Sequence, residues 1–391
     1  MIFISGFRIG TDFRVYYYAA KAAVSGENFY TVSPPAHPGY YFLYPPIVIL
    51  FFLPYGLFSS WVLPFLIHTG ISIAASIALS WAIVVYLRNQ GIKMTQRDFA
   101  LVTAFVLLSA HSVPNLLHGQ INTLLAVCIG TALLAHERDL EGWSGRILSL
   151  AALVKVWPAA IGLWYVCDRS WTAIVNAVTV GVGGLIGGYL LFGQESTVEF
   201  FSILTNRYQT DVFAGGLAPE AVYLTIRRPL SHLLPTDNSL VLSVTAFLVL
   251  APFVALTYQR IQTPIERMIA IFVTVAAVLL FFTSFLIYFP VLFAPLLVLL
   301  YSLEESQGRT VFLAGAFIAN FPFSFRHING ILSQSPLPDQ LTQVLLEGTG
   351  FVLTYGTPTL YGILVMILGC VLYLYQEEST SPVMSNIRLG R

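Results

Sequence analysis

Apolar residues along this chain run in blocks of about twenty, separated by short polar stretches, with little of the three-to-four spacing of a half-buried helix. A hydrocarbon core about 30 Å thick takes roughly twenty residues of helix. On that ruler, membrane-crossing helices are predicted over 61–87, 98–116, 118–136, 172–193, 239–258, 266–283, 285–303, 310–325 and 349–375. Two apolar segments do not fit. Residues 45–58, PPIVILFFLPYGLF, are too short and contain Pro54, which predicts an interfacial or re-entrant helix. Residues 146–167, RILSLAALVKVWPAAIGLWYVC, carry Lys155 and Pro158 at their middle and predict two short half-helices. The expected fold is all-α, a polytopic transmembrane helical bundle forming one integral-membrane domain over 1–391. Within it, 1–60 reads as an external loop with interfacial helices, 61–193 as core helices and 194–238 as a second external loop. The remainder divides into C-terminal helices over 239–375 and a cytoplasmic tail over 376–391.

Composition agrees: 57% of the 391 residues are hydrophobic and 10% are charged. A formal net charge of zero argues against a nucleic-acid surface, and no zinc-type cysteine or histidine spacing is present, so no metal or cofactor is expected. Cys128, Cys167 and Cys370 sit in or beside apolar segments and read as packing residues. The opening MIFISGFRIG supplies only a short apolar run before the polar stretch begins, too little for a secretory signal or a span. Either the chain starts outside the membrane or a first helix lies upstream of it.

Basic residues in short loops set orientation. Arg88, Lys93 and Arg97, then Arg138 and Arg146, then Arg260 and Arg267, then Arg388 and Arg391 mark the cytoplasmic side. All four groups stay there only if 146–167 dips into the membrane and returns. That topology gathers the polar clusters on the external face, as in an enzyme or receptor with an outer cavity. A transporter would place its site near the midplane and often carries internal repeats, and no convincing repeat is present.

The clusters are few. In TDFRVYYYAA, Asp12 reads as a solvated or helix-capping carboxylate at the start of a helix over 13–24, or as a group facing a substrate at the lipid surface. Tyr16, Tyr17 and Tyr18 ring that helix as headgroup-belt anchors do, and Tyr16 is also a candidate substrate contact. Tyr44 belongs to LYPP, a rigid turn with proline at the first position of the next helix, or the rim of a cavity. In LHGQIN, His118, Gln120 and Asn122 can bond sugar hydroxyls or satisfy helix ends; Gln120 and Asn122 do not share a helical face. Lys155 is the most expensive residue in the chain, costing about 2.5–3.5 kcal/mol at the centre of an apolar segment, and a phosphate is its natural partner. The segment 194–238 holds Arg207, Tyr208, Asp211, Glu220, Arg227, Arg228 and His232. Its stretch 220–228 reads as an amphipathic helix whose arginine pair holds a phosphate, or as a solvated loop. Tyr288, Arg326 and His327 fall at the outer ends of further helices, where Tyr288 and Arg326 are candidate substrate contacts.

Taken in order, TDFRVYYYAAKAAVSGENFY, YFLYPPIVILFFLPYGLF, HGQINTLLAVCIGTALLAHE and ILSLAALVKVWPAAIGLWYVCDRSW resemble four sequence blocks of glycosyltransferase family 87. These blocks are Asp-Phe-x-x-Tyr-Tyr-x-Ala-Ala, Tyr-Pro-Pro, Gly-Gln-x-Asn and Lys-x-x-Pro, and the likeness covers the first half of the chain. It implies the GT-C fold and an inverting transfer of a sugar, mannose or a related hexose, from a polyprenyl phosphate to a hydroxyl of a lipid or glycan acceptor at the outer face of the cell membrane. By the same resemblance Asp12 is the general base, Lys155 lies by the donor phosphate and His327 is a possible catalytic partner. A transmembrane helix is implied before the aspartate loop, where this sequence has MIFISGF, and an Asn-Gln-Ser motif where it has FAGGLAPEAVYL. The rival expectations are a transporter or flippase of lipid-linked saccharides and a non-catalytic membrane scaffold.

Overall fold

The computed structural model describes residues 9–209, 213, 216–234, 236 and 238–380, with side chains throughout except at 206–209 and 377–380. The MIFISGF stub, Asp211, Arg388 and Arg391, and the side chains of Arg207 and Tyr208, lie outside the described residues. Among the described residues the protein is seventeen α-helices and three short 3-10 segments, and its only bridge is the isolated pair Tyr223 and Phe285. It is an all-α bundle. Its contacts gather into two units, residues 1–211 with 287–294, and residues 212–286 with 295–391.

The first unit contains α1 (Thr11–Val24), α2 (Ile49–Gly56), α3 (Val62–Asn89), α4 (Gln96–Leu108), α5 (Ser112–His118), α6 (Asn122–His136), α7 (Glu141–Val154), α8 (Leu163–Cys167) and α9 (Trp171–Gln209). Helix α3 is the span expected over 61–87, and α9 accounts for 172–193. Gly193, at φ 78°, breaks α9 at the end of that segment before the helix resumes. The span expected over 98–116 is a bent pair instead, α4 and α5 meeting at 53°, with α4 started by a Thr95–Asp98 capping box. Helix α6 has 15 residues, about 22 Å, and begins only at Asn122 because Gly119 and Gln120 form a loop.

The 146–167 segment is a hairpin. Helix α7 ends at Lys155, whose backbone is extended, and the chain returns through a 3-10 segment (Trp157–Gly162) and α8. Ser144, near the start of α7, then meets Tyr165, near the end of α8, at 2.6 Å between hydroxyls. His136, closing α6, holds Asp168 at 2.8 Å. The hairpin therefore opens and closes at one end of the unit and carries Lys155 to the other. Arg88, Lys93, Arg97, Arg138, Arg146 and Arg169 collect at the end where it opens.

The second unit holds α10 (Arg227–Leu233), α11 (Ser239–Tyr258), α12 (Pro264–Phe281), α14 (Gln307–Ala319), α15 (Phe325–Leu332), α16 (Asp339–Tyr355) and α17 (Pro358–Thr380). Helix α13 (Phe293–Ser302) follows a 3-10 segment (Leu286–Leu292), so the continuous helix expected over 285–303 is half that. The span expected over 310–325 stops at Ala319, and the one over 349–375 is two helices parted at Gly356 and Thr357 before Pro358. The amphipathic helix expected over 220–228 is absent. Leu224 and Ile226 donate instead to the Ser284 and Leu280 carbonyls, and the helix starts at Arg227.

Helices α14 and α17 pack backbone against backbone. Gly308, Gly315, Gly362 and Gly369, seven residues apart on each helix, are where they touch: a Cβ on Gly315 would sit 2.6 Å from the Met366 nitrogen. Gly315→Leu should lower the melting temperature of the detergent-solubilised protein by several degrees, overpacking costing about 1–3 kcal/mol. Gly70→Leu, with nothing within 4 Å of its Cβ position, should leave it unchanged. Equal melting curves for the two variants would refute this packing.

Candidate active site

Helix α1 starts after Gly10, whose left-handed backbone (φ 68°) lets its N–H donate to the Leu117 carbonyl at the end of α5. That bond fixes the start of α1 beside α5. Asp12 caps nothing, since no side chain caps α1 and Gly10 stands at the N-cap. Its carboxylate faces His118 Nδ1 at 3.3 Å, with 21% of the Asp12 side chain and 30% of the His118 side chain exposed.

The tyrosines of α1 are not headgroup anchors. Tyr16 and Tyr17 are buried and Tyr18 partly so. Tyr17 donates to the Phe58 carbonyl, and Tyr16 stacks on Phe52 at 4.5 Å within a nest of Phe13, Tyr55, Phe65 and His68. The Tyr16 hydroxyl meets the Tyr44 hydroxyl at 3.0 Å and donates to Gln120 Oε1 at 3.3 Å. Burial first, then Tyr44 and Asp12, holds this phenol well above its ordinary range, so it stays a neutral donor. Tyr44 is placed by the LYPP turn, where Pro46 opens a 3-10 segment (Pro46–Val48) and Tyr30 donates to the Tyr44 carbonyl at 2.6 Å.

The loop between α5 and α6 links the two halves of the site. Gly119 adopts φ 65°, and a Cβ there would lie 2.7 Å from that of Phe13, so the loop passes α1 as glycine alone allows. His118 and Gln120 on this loop face α1. Asn122, the first residue of α6, faces the hairpin: its Oδ1 accepts from Lys155 Nζ at 2.6 Å. Asn122 is fully buried and donates to Asn115 Oδ1 at 3.2 Å, and Asn115 donates to the carbonyls of His111 and Ile287. The ammonium also stands 4.0 Å over the Tyr288 ring, which stacks on Trp157. Asp12, Tyr16, Tyr44, His118, Gln120, Asn122, Lys155 and Tyr288 thus form one cluster in the first unit.

The remaining candidates belong to the second unit. Arg228 is fully buried, and its guanidinium donates to the carbonyls of Ala218, Pro219, Ala221, Leu353 and Thr354. It ties the 218–221 loop to the end of α16 and does not pair with Arg227 around one phosphate. Arg227 lies over the Phe281 ring at 5.0 Å. Arg326 and His327 are exposed at the start of α15, where His327 Nδ1 completes a capping box with Ser324. Partial desolvation against the helix start, then the neighbouring Arg326 charge, lowers the His327 pKa.

Sequence reading passes over Asn115 and His68. Each is a polar side chain inside an apolar run, the signal that singles out Lys155. Asn115 orders Asn122, and His68 is fully buried beneath Tyr16 and Tyr55.

Comparison with known proteins bears on the segment that carries this cluster. Over 165 residues the chain is 31% identical to a polyprenol-phosphate-mannose-dependent alpha-(1-2)-phosphatidylinositol pentamannoside mannosyltransferase of Mycolicibacterium smegmatis, 42% of this chain and 38% of that protein. The likeness therefore spans well under half of that relative's length. No solved structure matches the chain. Residues 42–287, which include Tyr44, the His118–Asn122 loop and Lys155 and exclude Asp12, match the model of glycosyltransferase family 87, and the chain belongs to that family.

Proposed function

We propose that the protein is an inverting, GT-C-type glycosyltransferase that moves a hexose, mannose or a close relative, from a polyprenyl phosphate to a hydroxyl of a lipid or glycan acceptor at the external face of the cell membrane. The observation that carries this reading is the His118–Asn122 loop, which holds a carboxylate through His118 and an ammonium through Asn122. The named donor of the mycobacterial relative, polyprenol-phosphate mannose, supports the donor class. Basic residues at the opposite end of the unit support an external site.

In the step, Asp12 takes the proton of the acceptor hydroxyl as its oxygen forms a bond to the anomeric carbon. The bond from that carbon to the phosphate oxygen breaks, its electron pair leaves with the polyprenyl phosphate, and Lys155 offsets the charge that develops there. Base and cation act on opposite sides of a carbon with oxocarbenium character, so configuration inverts. The Tyr16 hydroxyl and the Gln120 amide, hydrogen-bonded to each other at 3.3 Å, are the candidate partners for sugar hydroxyls. His118 orients the Asp12 carboxylate. His327 enters as a candidate partner in proton transfer, on the family resemblance alone.

Asp12→Asn should reduce sugar transfer from polyprenyl-phosphate mannose by about 10²–10⁴-fold in membranes holding normal amounts of protein. Undiminished transfer would refute the base. Movement of lipid-linked sugar across reconstituted vesicles with no new glycosidic bond would favour the flippase instead. Lys155→Met keeps the stem and removes the charge, so KM for the donor should rise about 10–100-fold with a smaller change in kcat; an unaltered KM would remove Lys155 from the phosphate. Asn122→Asp should fold and raise donor KM in the same direction, because a carboxylate neutralises the ammonium that an amide leaves charged. Wild-type KM in that variant would count against the role of the amide.

A further inference from the structure

At the opposite end of the first unit an open cleft of about 440 Å³ lies between the start of α7 and the start of α9. Its lining carries both signs of charge: Asp139 comes from just before α7, Glu141, Trp143 and Arg146 from its start, and Thr172 and Asn176 from the start of α9. Among the described residues neither carboxylate is paired with Arg146. The guanidinium is aimed by two contacts: Nε donates to Asn176 Oδ1 at 2.7 Å, and the group lies 5.1 Å over the Trp143 ring. Asn176 is itself held by a bond to the Thr172 carbonyl at 2.8 Å, so the Arg146 terminal amino groups project from a fixed mount.

The cleft lies at the membrane boundary. Trp171 begins α9, a helix long and apolar enough to cross a membrane, whose most apolar stretch is 6% buried within the protein and so is left largely to lipid. Trp143 and Trp171 are 60% and 68% exposed, as aromatic side chains at the headgroup level are. A lipid reaching this point presents its phosphate at the depth of these indoles.

We propose that the cleft binds the head group of a zwitterionic phospholipid bearing a primary ammonium, of the ethanolamine type. Arg146 takes the phosphate through its terminal amino groups, and Asp139 and Glu141 accept the ammonium N–H groups. A purely anionic head group meets two carboxylates without a partner. A choline head group has no N–H to give them, and the Trp143 face that would otherwise receive its quaternary ammonium is taken by Arg146. The lipid joins the N-terminal turns of α7 and α9, steadying the hairpin whose far end carries Lys155.

The test uses the full chain in nanodiscs holding equal amounts of ethanolamine, choline and glycerol phospholipids, with retained lipid counted by native mass spectrometry after release. Ethanolamine lipid should be enriched several-fold over the other two. Arg146→Gln should abolish that enrichment, and the double variant Asp139→Asn, Glu141→Gln should shift retention toward the anionic glycerol lipid. Equal retention of the three lipids by the unaltered protein would overturn the proposal. So would ethanolamine enrichment that persists unchanged in either variant while the variant elutes as a single folded species.

Discussion

The site depends on the hydrogen bond between Lys155 and Asn122, because it lets an ammonium stand at the apex of a broken helix in an apolar unit. An isolated charge there would cost a few kcal/mol, and three features of the fold lower that cost. The chain leaves helical geometry at Lys155, the buried amide of Asn122 accepts from Nζ, and the Tyr288 ring faces the cation. Each in turn needs its own support. Asn122 is oriented by Asn115, Asn115 by two carbonyls, and Tyr288 by Trp157. The hairpin, the α5–α6 loop and the 287–294 segment are therefore interdependent through one polar chain.

An amide is a consequential choice of partner. A carboxylate in place of Asn122 would give Lys155 a stronger electrostatic partner, but the pair would be neutral and an incoming phosphate would have to compete for the charge. Among the described residues Asp12 pairs with His118, while Lys155 is held by Asn122. The loop thus binds a carboxylate through one of its ends and an ammonium through the other, each with a neutral or weakly basic side chain as its partner.

The sequence makes the class of fold legible because runs of apolar residues reveal membrane helices with little help from tertiary context. It also marks the hairpin, since Lys155 and Pro158 break a run that is otherwise long enough to cross. Helix ends are less legible. Continuous helices are expected through 285–303 and 349–375 from hydropathy, but the breaks at Leu286–Leu292 and Gly356–Thr357 fall at Pro290 and just before Pro358, backbone signals that an average of hydropathy passes over. Hydropathy does not register backbone geometry, and a 3-10 segment is as apolar as an α-helix.

The same limit explains the tyrosines and arginines. Tyr16 and Tyr17 look like interfacial anchors because their polar tips and apolar bodies suit a headgroup belt, yet both qualities also suit an aromatic core with carbonyls and hydroxyls at hand. Arg227 and Arg228 are adjacent in sequence, but adjacent residues on a helix point about 100° apart, so one lies over Phe281 while the other gathers five carbonyls. Lys155 was legible because its cost in an apolar run is a property of the residue and its neighbours. The burial and hydrogen bonds of Tyr16 are not legible, because they depend on Gln120 and Tyr44, brought to it by the turn at Gly119 and the proline turn at Pro46.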